Sequence, residues 1–442
     1  MKKHLISRRS VLAGTAAAGA LGLTGFPARA DVQWKKYAGT KLEVILAKGP
    51  RGDNLQKNIK EFTDLTGVQV ESEQIPEQQQ QRQKAVIELA SGKPSFDVVH
   101  LSYHVQKRQF EKAGWLADIS GYMKDPNLTA PDLVESDFSA AGLQYARNDK
   151  GQMHSLPWSV DYFILYHNKE LFQKKGVAVP KTFDEMVAAA EKLTDAKEGT
   201  FGFVGRGLRN ANMTLWTNFF LNCGGEFLDS KGGILTDGPE AIEATKLYQT
   251  LLTKVAPPGV AGFNWMESMA SFTQGRSAMW IDGVGWAPPL EDPAASRIVG
   301  KVGYTVVPTG SKGQYSATYG DGLGIAAASK NKEAAYLLLQ WAVSKSQGAK
   351  LLQAGGGVPF RNSILNDPEI QKGVKMPKEW LQSVIDSAKI SKLGLPVIIP
   401  VAEFRDLVGA AITSTLAGAD PATELKKAHE QFRPILERSE KA

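Results

Sequence analysis

Lys41-Leu42-Glu43-Val44-Ile45-Leu46-Ala47 is a short apolar strand, ended by Lys48-Gly49-Pro50. Apolar residues then recur at helical spacing, at Leu55, Ile59, Phe62 and Leu65, until Gly67 stops the helix. Val68 to Ile75 alternates as a strand does, and Pro76 opens a second helix that runs to Ala90. Phe96-Asp97-Val98-Val99-His100-Leu101 is a third strand, followed by a helix ending near Gly114. Strands and helices alternating through short links predict parallel βαβ units. In such sheets ligands bind beyond the carboxyl ends of the strands, in the loops that follow.

Downstream, Leu156-Pro157-Trp158-Ser159-Val160-Asp161-Tyr162-Phe163-Ile164-Leu165-Tyr166 is the longest strand-like run in the chain. It is long enough to pass between two lobes and is the first crossing expected. Helices are expected over 168–175, 183–193, 211–221, 239–252 and 266–273, and strands over 201–204, 277–281 and 302–307. Thr182 and Glu185 form a capping box ahead of the second of these helices. An apolar strand over 322–327 is a second crossing, and Gly355-Gly356-Gly357 lets the chain cross a third time. Helices over 332–344, 347–354, 402–417 and 422–438 complete the pattern, the last bent at Pro434.

The first thirty residues have the parts of an export leader. Lys2, Lys3, Arg8 and Arg9 form a basic head, Val11 to Thr24 is mildly apolar, and Ala28-Arg29-Ala30 is a small-x-small cleavage pattern. The pair Arg8-Arg9 ahead of a mild apolar run reads as a twin-arginine address, and the mature chain is expected in the periplasm. Five of the 52 Lys and Arg lie in this leader, which holds no acid, so the mature chain sets 47 bases against 46 acids. Such balance argues against nucleic acid as a partner. The single cysteine, Cys223, rules out an internal disulfide and ends an apolar run, which suits a buried, inert thiol. The 412 residues left after the leader fit two lobes better than one core.

The chain contains no G-x-S-x-G, no P-loop, no H-E-x-x-H and no C-x-x-C. His100 and His104 are four apart but straddle a strand end, which does not suit a metal, and no cofactor is expected. Gly320-Asp321-Gly322-Leu323-Gly324 precedes a strand instead of joining a strand to a helix, so it is no dinucleotide fingerprint. What does gather at strand ends and crossings is aromatic and hydrogen-bonding residues: Tyr103, His104, Trp158, Asp161, Arg206, Trp216, Asp282, Trp286, Tyr319 and Asp321. A sugar offers an apolar ring face to aromatic planes and a rim of hydroxyls to carboxylates, amides and guanidinium groups. Taken singly, each aromatic also fits a packed core.

Several blocks together resemble the extracellular solute-binding proteins of ABC importers, family 1, the maltodextrin-binding-like group. They are Gly92-Lys93-Pro94-Ser95-Phe96-Asp97-Val98-Val99, Phe110-Glu111-Lys112-Ala113-Gly114-Trp115-Leu116, Leu165-Tyr166-His167-Asn168-Lys169-Glu170-Leu171-Phe172 and Phe272-Thr273-Gln274-Gly275-Arg276-Ser277-Ala278-Met279-Trp280-Ile281-Asp282-Gly283. The resemblance implies an α/β fold of the two-lobed periplasmic-binding-protein kind (type II-like), with parallel-type sheets flanked by helices and hinge crossings between lobes. The lobes are expected over 31–157 with 323–357, and 158–322 with 358–442. By position, His104 matches a cleft carboxylate, Asp161 an acidic cleft residue, Arg206 an arginine of polyol-binding relatives, and Asp282 with Trp286 the segment supplying a stacking aromatic. Tyr319-Gly320-Asp321 stands where those relatives have tryptophans, and Glu403 and Arg405 stand where some offer aromatics. With Lys48, Arg51, Arg206 and Arg209 nearby, a sugar acid or phosphorylated sugar joins neutral sugars and polyols as a candidate ligand.

The leading expectation is a monomeric periplasmic receptor that hands a carbohydrate-like solute to a membrane permease. An exported carbohydrate-active enzyme is the alternative. A surface scaffold module is the third reading, although no internal repeat supports it.

Overall fold

The computed structural model describes residues 32–75 and 78–441. The export leader and Pro76, expected to open the second helix, lie outside the described residues, and that helix is described over Gln78–Ala90. Among the described residues nine strands are laid down: β1 Lys41–Ala47, β2 Gln69–Ile75, β3 Val98–Ser102, β4 Ser155–Asn168, β5 Met279–Gly283, β6 Val302–Val306, β7 Ser316–Ile325, β8 Val358–Pro359 and β9 Ser391–Leu393. They hydrogen-bond in the order β2-β1-β3-β7-β4-β5, with β6 and β8 also on β4 and β9 on β7. The expected parallel pairing holds for β1 with β2 and β3, and for β7 with β9. Every other pair is antiparallel. The sheets are therefore mixed, because the crossing strands enter them from the other direction.

β4 makes the two-lobed layout possible. Its 14 residues are all buried, and at about 3.3 Å per residue it spans roughly 46 Å. Ser155 to Tyr162 pair with β7, whereas Phe163 to His167 pair with β5 and Ile164 to Asn168 with β6. The strand thus leaves one sheet body and enters the other near Phe163. Its ladder with β7 slips between Pro157 and Ser159, beside the proline that has no N–H to donate. β8 pairs with Ser159 and Val160, so the glycine run before it does bring the chain back to the crossing.

Some elements differ from expectation. β7 begins at Ser316, six residues earlier than the apolar run suggests, because its small polar residues are buried between strands and read as a turn. Gly320 is needed there: a Cβ would stand 2.7 Å from the Phe360 ring and 3.0 Å from that of Tyr145. Residues 201–204 make only single bridges, Phe201 with Ser277 and Val204 with Trp280. Gly202 packs so close to the helix Phe183–Leu193 that a Cβ would lie 1.9 Å from the Ala190 carbonyl oxygen, so the segment serves as a spacer between layers. Three helices between Asn362 and Lys389 were not anticipated. At Thr182 the hydroxyl accepts the Glu185 N–H, but Glu185 reaches back to Lys181 N–H, so the box is shifted by one residue.

Candidate ligand-binding site

The carboxyl ends of β1 and β3, the crossings β4 and β7, and the loops after β5 surround one cavity of about 80 Å³. The turn after β1 supplies Lys48, and the first turn of the helix Pro50–Thr66 supplies Arg51. β3 contributes His100 and Ser102, and the helix it feeds, Tyr103–Lys112, contributes His104. β4 places Asp161 and Phe163, and β7 places Tyr319 and Asp321. From the second body come Arg206, Thr214, Trp265 and Trp286.

Two guanidinium groups organise the polar side. Arg51 Nη2 lies 3.1 Å from Asp161 Oδ2, and Arg51 Nη1 contacts Asp321. Asp161 Oδ1 also accepts the Gly285 N–H at 3.1 Å, which ties the β4 crossing to the turn after β5. Gly283 makes room for this carboxylate, since a Cβ there would fall 2.6 Å from its oxygens. Arg206 grips Asp282 with both arms, Nε donating at 2.8 Å and Nη2 to the other oxygen. Its guanidinium carbon lies 5.7 Å from the Phe163 ring centroid, within cation–π range. Buried pairs of this kind orient donors and acceptors more than they add stability.

The aromatic wall is a pair. Trp265 and Trp286 stack with centroids 4.2 Å apart and planes within 9°. Trp265 opens the helix Trp265–Thr273 behind Asn264, which forms a full capping box with Glu267. Three buried polar atoms around the cavity have no hydrogen-bond partner: His100 Nε2, His104 Nδ1 and Trp286 Nε1. Such orphans are uncommon in folded proteins, and here they border a single space. Burial, with Arg51 and Arg82 adding to it, pushes the His100 imidazole down to about 3. Burial and then Arg405 and Arg82 hold His104 well below its ordinary range. Both rings are therefore neutral near pH 7.

Of the residues expected to bind ligand, Lys48, Arg51, His104, Asp161, Arg206, Trp286, Tyr319 and Asp321 border the cavity. The others do not. Tyr103 turns inward, stacked on Tyr145 with its hydroxyl on Ser155 at 2.6 Å, so it does not join Asp161, Arg206 and Trp286 at the cleft. Trp158 packs edge-on against His100 from behind. Trp216 is a core residue, stacked on Phe220 with its indole N–H donated to Thr245 at 2.8 Å. Asp282 is fully buried and acts only through Arg206. Glu403 is exposed on the helix Val401–Leu416, while Arg405 borders a neighbouring recess. Sequence reasoning missed Trp265, because its helix was expected to begin at Met266. The Asn264 and Glu267 spacing was the signal that could have placed it. It also read His100 only as a possible metal ligand and left Ser102, Phe163 and Thr214 unmarked.

Residues 47–349 match the family model described as "Bacterial extracellular solute-binding protein". The chain belongs to the bacterial extracellular solute-binding proteins. Among its relatives is a probable amino-acid ABC transporter periplasmic-binding protein, y4oP, of Sinorhizobium fredii. It is 30% identical over 83% of this chain and 84% of its own. An erythritol/L-threitol-binding protein of Mycolicibacterium smegmatis is 25% identical over 95% of both chains. The ribitol-bound solute-binding protein of Agrobacterium radiobacter K84 superposes with a TM-score of 0.81 at 29% identity, over 90% of this chain and 99% of that one. This solute-binding protein therefore has the two-lobed fold of its relatives, and its cavity lies where chain crossings and both sheet bodies meet.

Proposed function

We propose that this solute-binding protein is the periplasmic receptor of an ABC importer for a carbohydrate-like solute of monosaccharide or short-polyol size. The supporting observation is the cavity itself. Guanidinium–carboxylate pairs, three orphaned polar atoms and a stacked indole pair surround a space that holds roughly half a dozen water molecules. That combination suits a ring or short chain of hydroxylated carbons, with hydroxyls shared among Arg51, Asp161, Arg206 and Asp321 and C–H faces on Trp286 and Trp265. Relatives named for erythritol, L-threitol and ribitol support the same class.

The solute touches both lobes, so its binding energy favours the closed form, which the membrane permease then recognises. The protein works as an exported monomer and returns its ligand unchanged. The two carboxylates that line the cavity, Asp161 and Asp321, are both engaged by Arg51. The lobes meet at the crossings, near Phe163 on β4 and between Thr318 and Asp321 on β7. The final return falls after residue 361, because Arg361 is held by Asp132 and Asp137 of the first lobe.

Calorimetry on the mature chain, stripped of carried-over ligand by unfolding and refolding, tests this with polyols, aldoses and free amino acids. A saturable heat for a polyol or sugar is expected. Binding of free amino acids alone would move the protein to the class that the name of y4oP suggests, and silence across the panel would end the proposal.

A further inference from the structure

We propose that the cleft carries a second subsite, for an anionic group of the solute, where Arg82 of the first lobe and Arg405 of the second face one recess. This rests on the carbohydrate reading above and narrows it to a sugar acid or a sugar phosphate.

The recess measures about 450 Å³ and shares no lining residue with the main cavity, but the two are one hydrogen bond apart. The link is a hydrogen bond: Ser102, which borders the cavity, donates its N–H to Gln106 Oε1 at 2.7 Å, and Gln106 borders the recess. Arg82 comes from the helix Gln78–Ala90 and Arg405 from the helix Val401–Leu416. Neither has a carboxylate partner among the described residues, in contrast to Arg51 and Arg206. Arg405 is only 8% exposed, yet its one hydrogen bond runs from Nη2 to the Asn210 carbonyl at 3.0 Å. Its Nε and the Nε2 of Gln106, itself 2% exposed, are buried donors without acceptors.

The backbone is shaped around this arginine. Asn210 is the one non-glycine among the described residues with positive φ, at 71°. Its carbonyl meets Arg405 and its side-chain amide bonds Asp406 at 2.9 Å. An uncommon conformation held by its surroundings is a mark of functional positions. A guanidinium removed from water without a counter-charge is costly, and here the buried Arg405 shares its space with a second, partly exposed one, Arg82. Burial lowers Arg82 to about 10 and Arg405 to about 9, with Arg82 adding repulsion at Arg405. Both remain cations at neutral pH. A carboxylate or phosphate placed between them accepts charge-assisted bonds from both forks and from Gln106. It also joins the lobes, so an anionic solute favours closure where a neutral one leaves two like charges facing each other.

Calorimetry on the stripped mature chain compares matched pairs: glucitol with gluconate, and glucose with glucuronate and glucose 6-phosphate. One anion is expected to bind at least tenfold more tightly than its neutral partner, and which one does so separates carboxylate from phosphate. Arg82→Gln and Arg405→Gln are each expected to weaken that anion by about 10- to 100-fold, leaving neutral affinity within a few-fold. Thermal melts report folding; if Arg405→Gln does not fold, the partly exposed Arg82→Gln decides. Neutral solutes binding as well as or better than anions, or variants weakening both classes alike, overturns the subsite and leaves the carbohydrate reading standing. No carbohydrate binding at all overturns both.

Discussion

Acidification should unfold this protein through imidazoles it buries without charge. His100 accepts the Ala47 N–H at Nδ1 (3.2 Å) and packs edge-on against Trp158, with Arg51, Arg82 and Asp321 as its charged neighbours. His167 lies in β4 against Phe172 and so close to Gly303 that a Cβ there would be 2.1 Å from the ring. Burial pushes His100 to about 3, and it pushes His167 to about 4 despite Glu379 nearby. In the unfolded chain both titrate near 6.5. The folded values are depressed, so the unfolded state binds more protons below pH 6.5. Stability is full above that pH and is lost as pH falls toward 4 and then 3. At pH 5 each unfolded imidazole is about 97% protonated while the folded one is nearly bare. Each therefore costs 1.5 pH units at 1.36 kcal/mol per unit, about 2 kcal/mol, or roughly 4 kcal/mol for the pair. That is a large part of the ~5–15 kcal/mol that holds a domain together. Urea titrations at pH 7.5, 6 and 5 measure it, on the native chain and on a His100→Gln/His167→Gln double variant. The native chain should lose about 4 kcal/mol more than the variant between pH 7.5 and 5. Parallel curves, or a native loss below about 1 kcal/mol, would refute the reasoning.

Three further outcomes are expected. Arg51→Met strands the Asp161 and Asp321 carboxylates, 13% and 7% exposed, in a space built around a cation; denaturant melts should show a loss of about 3–5 kcal/mol, and a change under about 1 kcal/mol contradicts it. Trp265→Ala removes half of the indole stack from a partly exposed helix start, so calorimetry should show solute affinity falling roughly tenfold or more with little change in melting temperature. Gly283→Ala drives a methyl into the Asp161 carboxylate; it should cost about 1–3 kcal/mol and weaken binding, and a variant indistinguishable from wild type in both assays rejects the close contact.

The elements were legible because periodicity survives in sequence, and the β4 crossing was legible because its long run is largely apolar, whereas β7, buried as fully, carries small polar residues that hid its first half. Which face of a crossing meets the cleft was not. On β3, His100 and Ser102 point to the cavity, and His104 joins them from the first turn of the following helix. Leu101 and Tyr103 point away into the core. On β4 the cavity takes Asp161 and Phe163 and leaves Trp158, Val160 and Tyr162 to packing; on β7 it takes Tyr319 and Asp321 and leaves Gly320 and Gly322. Each strand contributes one parity, as the two-residue repeat requires. A half-exposed strand shows its parity by alternating polar and apolar residues, but these strands are buried on both faces and carry polar residues on the cleft side only sparsely. Tyr103 and Trp158 were therefore chosen one position out of phase. The ion pairs of Arg51 with Asp161 and Asp321 set the phase of β4 and β7 together, and only the fold brings that arginine, some 110 residues upstream of Asp161, to them. Arg82 was missed for a related reason. On its own helix it reads as one more solvated cation, and its isolation becomes visible only when the helix Val401–Leu416 brings Arg405 to the same recess.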